Sequence, residues 1–182
     1  MIAKIEVERF SLTSSRQFDE VLAAIKSAVG NPDMVDFAKT ASAAATFVEL
    51  ESAVRKGLGK TGLMRFMELD HGAVICKATG RDTPRMVRLI IGNPLIMQEM
   101  AKRVPDAGSY APVTVLVDER PDGVHISYDR MASLLATYRN SEAVAVARGT
   151  STRKWKVSCT RRPVELATVG VTECPVVLER SL

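Results

Sequence analysis

The chain reads as an α+β domain, an antiparallel sheet with helices packed on one face, and three observations predict it. Between Leu63 and Tyr128, apolar runs of strand length are bounded by turn residues. Two of them, Val113 to Glu119 and Val124 to Tyr128, meet at Arg120-Pro121-Asp122-Gly123, where proline and glycine supply the turn of a hairpin. Outside the strands, apolar residues fall instead at helical spacing, as with Phe18, Val21, Leu22, Ile25 and Val29. A sheet buries one face and a helix one stripe, so stacking one layer on the other satisfies both.

In chain order, Ile5, Val7 and Arg9 alternate with Glu6, Glu8 and Phe10, which predicts a half-buried strand ending at Ser11. Ser14 with Gln17 has the spacing of a capping box ahead of the Phe18 helix, which Gly30 closes. Asn31-Pro32 restarts a helix with Asn31 as cap and Met34, Phe37, Ala38 and Ala41 on its inner face. Thr46 with Glu49 is a second capping box, opening a helix through Leu50, Val54 and Leu58 that stops at Gly59-Lys60-Thr61-Gly62. Strands are expected at Leu63 to Asp70, Ala73 to Thr79 and Arg85 to Ile91, then a helix from Pro94 to Arg103 burying Ile96, Met97 and Met100. After the hairpin, Asp129 is placed to cap a helix carrying Met131, Leu134, Leu135 and Tyr138, and Ser141 to start a last short one.

Composition narrows the function classes. The chain has 182 residues, 46% of them apolar, which suits one compact domain. No run reaches the roughly 18 apolar residues of a membrane span, and the opening residues alternate charge with apolar side chains, unlike a secretory leader. A cytoplasmic protein with three reduced cysteines is expected. Of the net charge of +4, residues 151 to 182 supply +3 through six basic against three acidic residues. The nearly neutral body lacks the sustained positive field that nucleic acid requires.

Chemistry-bearing residues are sparse. Gly92-Asn93-Pro94 stands at a strand-to-helix junction, where free N–H groups can receive an anion and where Asn93 and Pro94 equally serve to cap the helix. His71 and Cys76, beside Asp70, have the donor atoms for zinc or haem iron but no diagnostic spacing. His125, Ser127 and Asp129 share one side of a strand, yet residues two apart are separated by about 6–7 Å, too far for a nucleophile and base. Glu68, Asp70, Asp118 and Glu119 end two strands, where paired carboxylates could meet. Walker and G-x-G-x-x-G series are absent.

The order Asp70-His71, Gly92-Asn93-Pro94, Leu95-Ile96-Met97-Gln98, Tyr110-Ala111-Pro112 and Ser127-Tyr128 resembles the bacterial domain-of-unknown-function family 302. The resemblance covers residues 46 to 138. It departs at Leu95, which follows Pro94 directly where family members often carry an inserted Gly-Thr. It implies a curved antiparallel sheet with helices on one face, similar to the TATA-binding-protein group, in a small homodimer, and it implies no established activity. Residues 1 to 149 then form one domain, with 1 to 45 an added strand and two helices, and residues 150 to 182 a basic, partly loose extension.

The function expected is a non-catalytic homodimeric module binding a small or apolar ligand between sheet and helices, with no cofactor. The candidate ligand-binding residues are His71, Asn93, Tyr110, His125 and Tyr128: His71 would orient a polar ligand end, Asn93 shape the mouth of the helix, and the two tyrosines line the pocket with their hydroxyls. Met64, Met67, Met86, Met97 and Met100 offer an adaptable lining. Two alternatives stand beside it: a metal- or haem-dependent enzyme or redox protein using His71, Cys76 or His125, and an adaptor acting through the basic tail.

Overall fold

The structure, a computed structural model, describes residues 4–82, 84–149, 155–157 and 164–166. Its centre is a five-stranded antiparallel sheet in the order β1-β5-β4-β3-β2, formed by β1 (Arg9–Ser14), β2 (Met64–Asp70), β3 (Met86–Gly92), β4 (Val113–Arg120) and β5 (Gly123–Asp129). Helix α1 (Phe18–Ala28) covers one face. Its Phe18, Val21 and Ile25, with Val29 beyond its end, pack on Val87, Leu89, Ile91, Val115, Val117, Val124, Ile126 and Tyr128. Each large aliphatic or aromatic side chain so buried contributes about 1.5–3 kcal/mol. Arg85 closes the helix edge, its guanidinium carbon 4.4 Å from the centre of the Phe18 ring while it pairs with Asp19.

A second core joins α5 (Pro94–Ala101), the short α6 (Ala107–Tyr110), α7 (Met131–Ala136) and α8 (Ser141–Gly149) around Met100, Val104, Met131 and Leu135. The remaining helices are α2 (Met34–Ala43), α3 (Phe47–Gly57) and α4 (His71–Thr79). Strands β6 (Trp155–Val157) and β7 (Val164–Leu166) pair antiparallel in the tail. The rest of the extension, with the expectation that it is partly loose, lies outside the described residues.

Several local expectations are corrected. The first strand begins at Arg9 and runs to Ser14, because its register is set by β5: Arg9 pairs with Asp129 through Nε at 2.7 Å, and the Phe10 and Tyr128 rings lie 5.2 Å apart. Ser14 is therefore a strand residue, its Oγ accepts from Arg16 N, and the Ser14–Gln17 capping box does not form. Asp33, not Asn31, caps α2, accepting from Val35 N and Asp36 N at 2.9 Å, while Asn31 Nδ2 donates to the carbonyls of Lys26 and Val29. Helix α2 buries no residue fully; Ala38, expected on its inner face, is exposed.

The largest correction is at Ala73 to Thr79, which is helix α4 rather than a strand. Asp70 Oδ1 accepts from Ala73 N at 2.8 Å and Gly80 stops the helix in the left-handed region at φ 68°, donating to Cys76 O. The apolar run of four residues was too short for its period to decide, and the cap and stop at its ends decided. Asp129 does not cap α7, since its carboxylate is taken by Arg9; Arg130 occupies the cap position without a side-chain bond. The Thr46–Glu49 box is present as expected.

Candidate functional site

Residues along the strands point alternately toward α1 and toward the opposite, outer face. Register sets Ser11, Ser127, Leu116, Arg88 and Leu69 in one row across all five strands on that outer face. On one side of this row run Thr13, His125, Asp118 and Met86; on the other, Thr114, Ile90 and Met67. Leu69, Met86, Ile90 and Leu116 are half-buried and Met67 is 53% exposed, and none of the five belongs to either core. The outer face is thus an apolar surface that none of the described residues packs into a core, with one guanidinium near its middle.

Its polar end is more tightly tied. Asp118, 4% exposed, accepts from Arg120 Nε at 2.6 Å, a contact that also raises the Arg120 pKa. His125, 8% exposed, shares a hydrogen bond between Nε2 and Asp122 Oδ1 at 2.8 Å, with Thr13 Oγ1 3.4 Å away. That bond holds Asp122 below the usual carboxylate range. Ser127 lies on the same face as His125, but Asp129 is held by Arg9, so the strand carries no hydrolytic triad.

The five residues singled out in the sequence do not converge. His125 lies on the outer face, and His71, the first residue of α4, follows β2 at the same end of the sheet. Tyr128 points the other way into the α1 core, where burial pushes its phenol up to about 12. Asn93 caps α5, with Oδ1 accepting from Leu95 N and Nδ2 donating to Gly62 O, both at 2.9 Å. Tyr110 packs on the helical core, its hydroxyl 2.8 Å from that of Tyr138, whose pKa is raised by that bond, by a bond to Asp106 and by burial.

His71 and Cys76 stand on one helix rather than in a turn and a strand, and among the described residues no group of three His, Cys, Asp or Glu is placed to hold a metal ion. Three of the four acidic strand ends are engaged elsewhere: Glu68 binds Lys26 and Arg65, Asp70 caps α4, and Asp118 holds Arg120. A cleft of about 510 Å³ opens where α7 meets α8, beside Arg139 and Arg148, and none of the five residues lines it. Sequence reasoning missed Arg88. Its signal was a lone charge inside the apolar run Val87 to Ile91.

Two comparisons with known proteins match. The profile described as "Domain of unknown function DUF302" covers residues 37–154, from within α2 to beyond α8. The chain belongs to the DUF302 family. The crystal structure of an uncharacterized conserved DUF302 protein from Bacillus stearothermophilus is similar at a TM-score of 0.51 and 11% identity, over 76% of this chain and 86% of that one. At that identity the likeness speaks for the fold alone, and in this chain the five-stranded antiparallel sheet is left open as a layer. No curated protein matches the sequence. Among the described residues no helix is long and apolar enough to cross a membrane.

Proposed function

We propose that this DUF302 protein is a non-catalytic homodimeric module that holds a small, largely apolar ligand on the outer face of its sheet. The observation that carries the reading is the set Met67, Leu69, Met86, Ile90 and Leu116, aliphatic side chains on one face that neither core absorbs. Covering apolar area gains about 25 cal/mol per Å², and the flexible thioethers of Met67 and Met86 adapt to irregular shapes. The interface between α1 and the sheet is already filled by Phe18, Val21, Ile25 and Val29, which moves the expected pocket to the other side of the sheet. His125 and Ser127 supply polar groups there, and His71 stands at the same end.

Phe47 and Val48, exposed at the start of α3, together with Val35 on α2, form the surface that a second copy would cover. Native mass spectrometry of the freshly purified protein tests both parts. The expected spectrum is a dimer carrying extra mass that denaturation releases. A bare monomer that takes up no apolar probe, such as 1-decanol, refutes the reading.

A further inference from the structure

We infer that the outer-face ligand is an amphiphilic monocarboxylate of the fatty-acid class, anchored by Arg88; this rests on the ligand-binding reading above and names its substrate class. Arg88 sits opposite Leu116 on β4 and Leu69 on β2, with Met86 and Ile90 two residues away on its own strand. The register therefore sets aliphatic side chains directly opposite the guanidinium, and the one carboxylate at a diagonal position on β4, that of Asp118, is taken by Arg120. Among the described residues it makes one bond, from Nη2 to Thr114 Oγ1 at 3.1 Å, and its buried Nε has no partner.

This sets Arg88 apart within the molecule. Among the described residues, the other arginines that are not exposed each pair with a carboxylate: Arg16 with Glu20, Arg65 with Glu68, Arg103 with Glu99 and Glu142, and Arg130 with Glu8. A half-buried cation without counter-ion has lost hydration and gained nothing in exchange, and its unmet donors carry a desolvation penalty. A carboxylate accepting end-on from Nη1 and Nη2 supplies the missing counter-charge, because the planar fork matches its two oxygens.

Charge counts decide between anions. Arg9 and Arg120, the other arginines on this face, are already committed to Asp129 and Asp118, so one positive charge is available, which suits a monocarboxylate and not a dianionic phosphate. The hydrocarbon part then lies on Leu69, Met67, Ile90 and Leu116, which span three strands, roughly 10 Å. A chain of medium length covers that distance.

The test compares decanoate with 1-decanol by isothermal titration calorimetry on the full chain, below the concentration at which either aggregates. Decanoate should bind one per protomer and at least about tenfold tighter than 1-decanol, as expected for a charge-assisted pair. Arg88→Met should bring decanoate down to the affinity of 1-decanol while leaving 1-decanol unchanged. Leu116→Glu, which sets a carboxylate in register with Arg88, should abolish the preference for decanoate without relying on the first variant. Equal affinity for acid and alcohol, or full decanoate affinity in Arg88→Met, overturns the inference and leaves the apolar-binding reading standing. Binding of neither probe overturns both, as does a dimer that buries this face and is split by Leu116→Glu.

Discussion

Replacing Gly30 by alanine probes the joint where α1, α3 and β2 meet. Gly30 and Gly59 both donate their N–H to the Leu63 carbonyl at 2.9 Å, and the Gly30 carbonyl accepts from Arg65 N at 2.8 Å. Two chain segments reach the same acceptor only by touching backbone to backbone. A Cβ on Gly30 would lie 2.7 Å from Gly59 N and closer still to the Gly57 carbonyl oxygen. Ordinary contact needs about 3.5 Å, so relieving the Gly57 carbonyl contact separates the segments by roughly 1.5–2 Å, which takes these hydrogen bonds beyond working range. Three such bonds at about 0.5–1.5 kcal/mol each give about 1.5–4.5 kcal/mol. The reduced freedom of alanine in the unfolded chain returns about 0.4–1 kcal/mol. The net loss, about 0.5–4 kcal/mol and centred on about 2, lowers Tm by about 4–8 °C at that centre in a domain of this size. Urea unfolding followed by far-UV circular dichroism should show a lower midpoint with an unchanged slope. Gly108→Ala is the control, since nothing lies within 4 Å of a Cβ there. If both variants unfold at the same urea concentration as the parent, the close approach is not what holds this joint.

Three further outcomes are expected. Thr46→Ala removes the acceptor for Glu49 N and should cost about 1 kcal/mol in the same urea assay, without changing the slope. Because burial raises the Tyr128 phenol from 10 to about 12, its contribution is fully present below pH 10 and is lost as pH rises toward about 12, where the unfolded chain releases its proton first. Tyr128→Phe should flatten the fall in stability over that window, measured by denaturant midpoints at successive pH values. Val48→Asp, at a side chain 74% exposed, should leave the urea midpoint of the protomer within about 0.5 kcal/mol while shifting the native mass from dimer to monomer.

The hairpin from Val113 to Asp129, the α1 face and the Thr46–Glu49 box were legible because each is written within a few consecutive residues. Period, cap and turn agreed there, and the packing only had to accept them. Ala73 to Thr79 failed because the side chains of Ala73, Val74, Ile75 and Cys76 suit either structure, and the deciding signals, Asp70 and Gly80, lay outside the run. Ser14 and Asp129 failed for a different reason. Both are good cap residues locally, but strand pairing put Ser14 opposite Val124 and Asp129 opposite Arg9, and tertiary partners outrank local ones. Gly30 and Gly59 were read as helix stops and each follows directly on the extended cap residue, Val29 or Leu58, yet their contact with each other is a property of three elements at once.

The candidate site was harder to read because it is defined by what the register withholds. His71, Asn93, Tyr110, His125 and Tyr128 were chosen by residue type, and the fold spends most of them locally: Asn93 on a helix start, Tyr110 on Tyr138, Tyr128 on the core. Arg88 carries no motif. Its distinction appears only when Leu116 and Leu69, from strands on either side, are brought opposite it in place of the acidic residues that the other non-exposed arginines meet. A strand reading of Val87 to Ile91 could still have flagged it, since a charge pointing away from the core in an otherwise apolar run must face either water or a partner. Here it faces an apolar surface, and none of the described residues completes that desolvated cation.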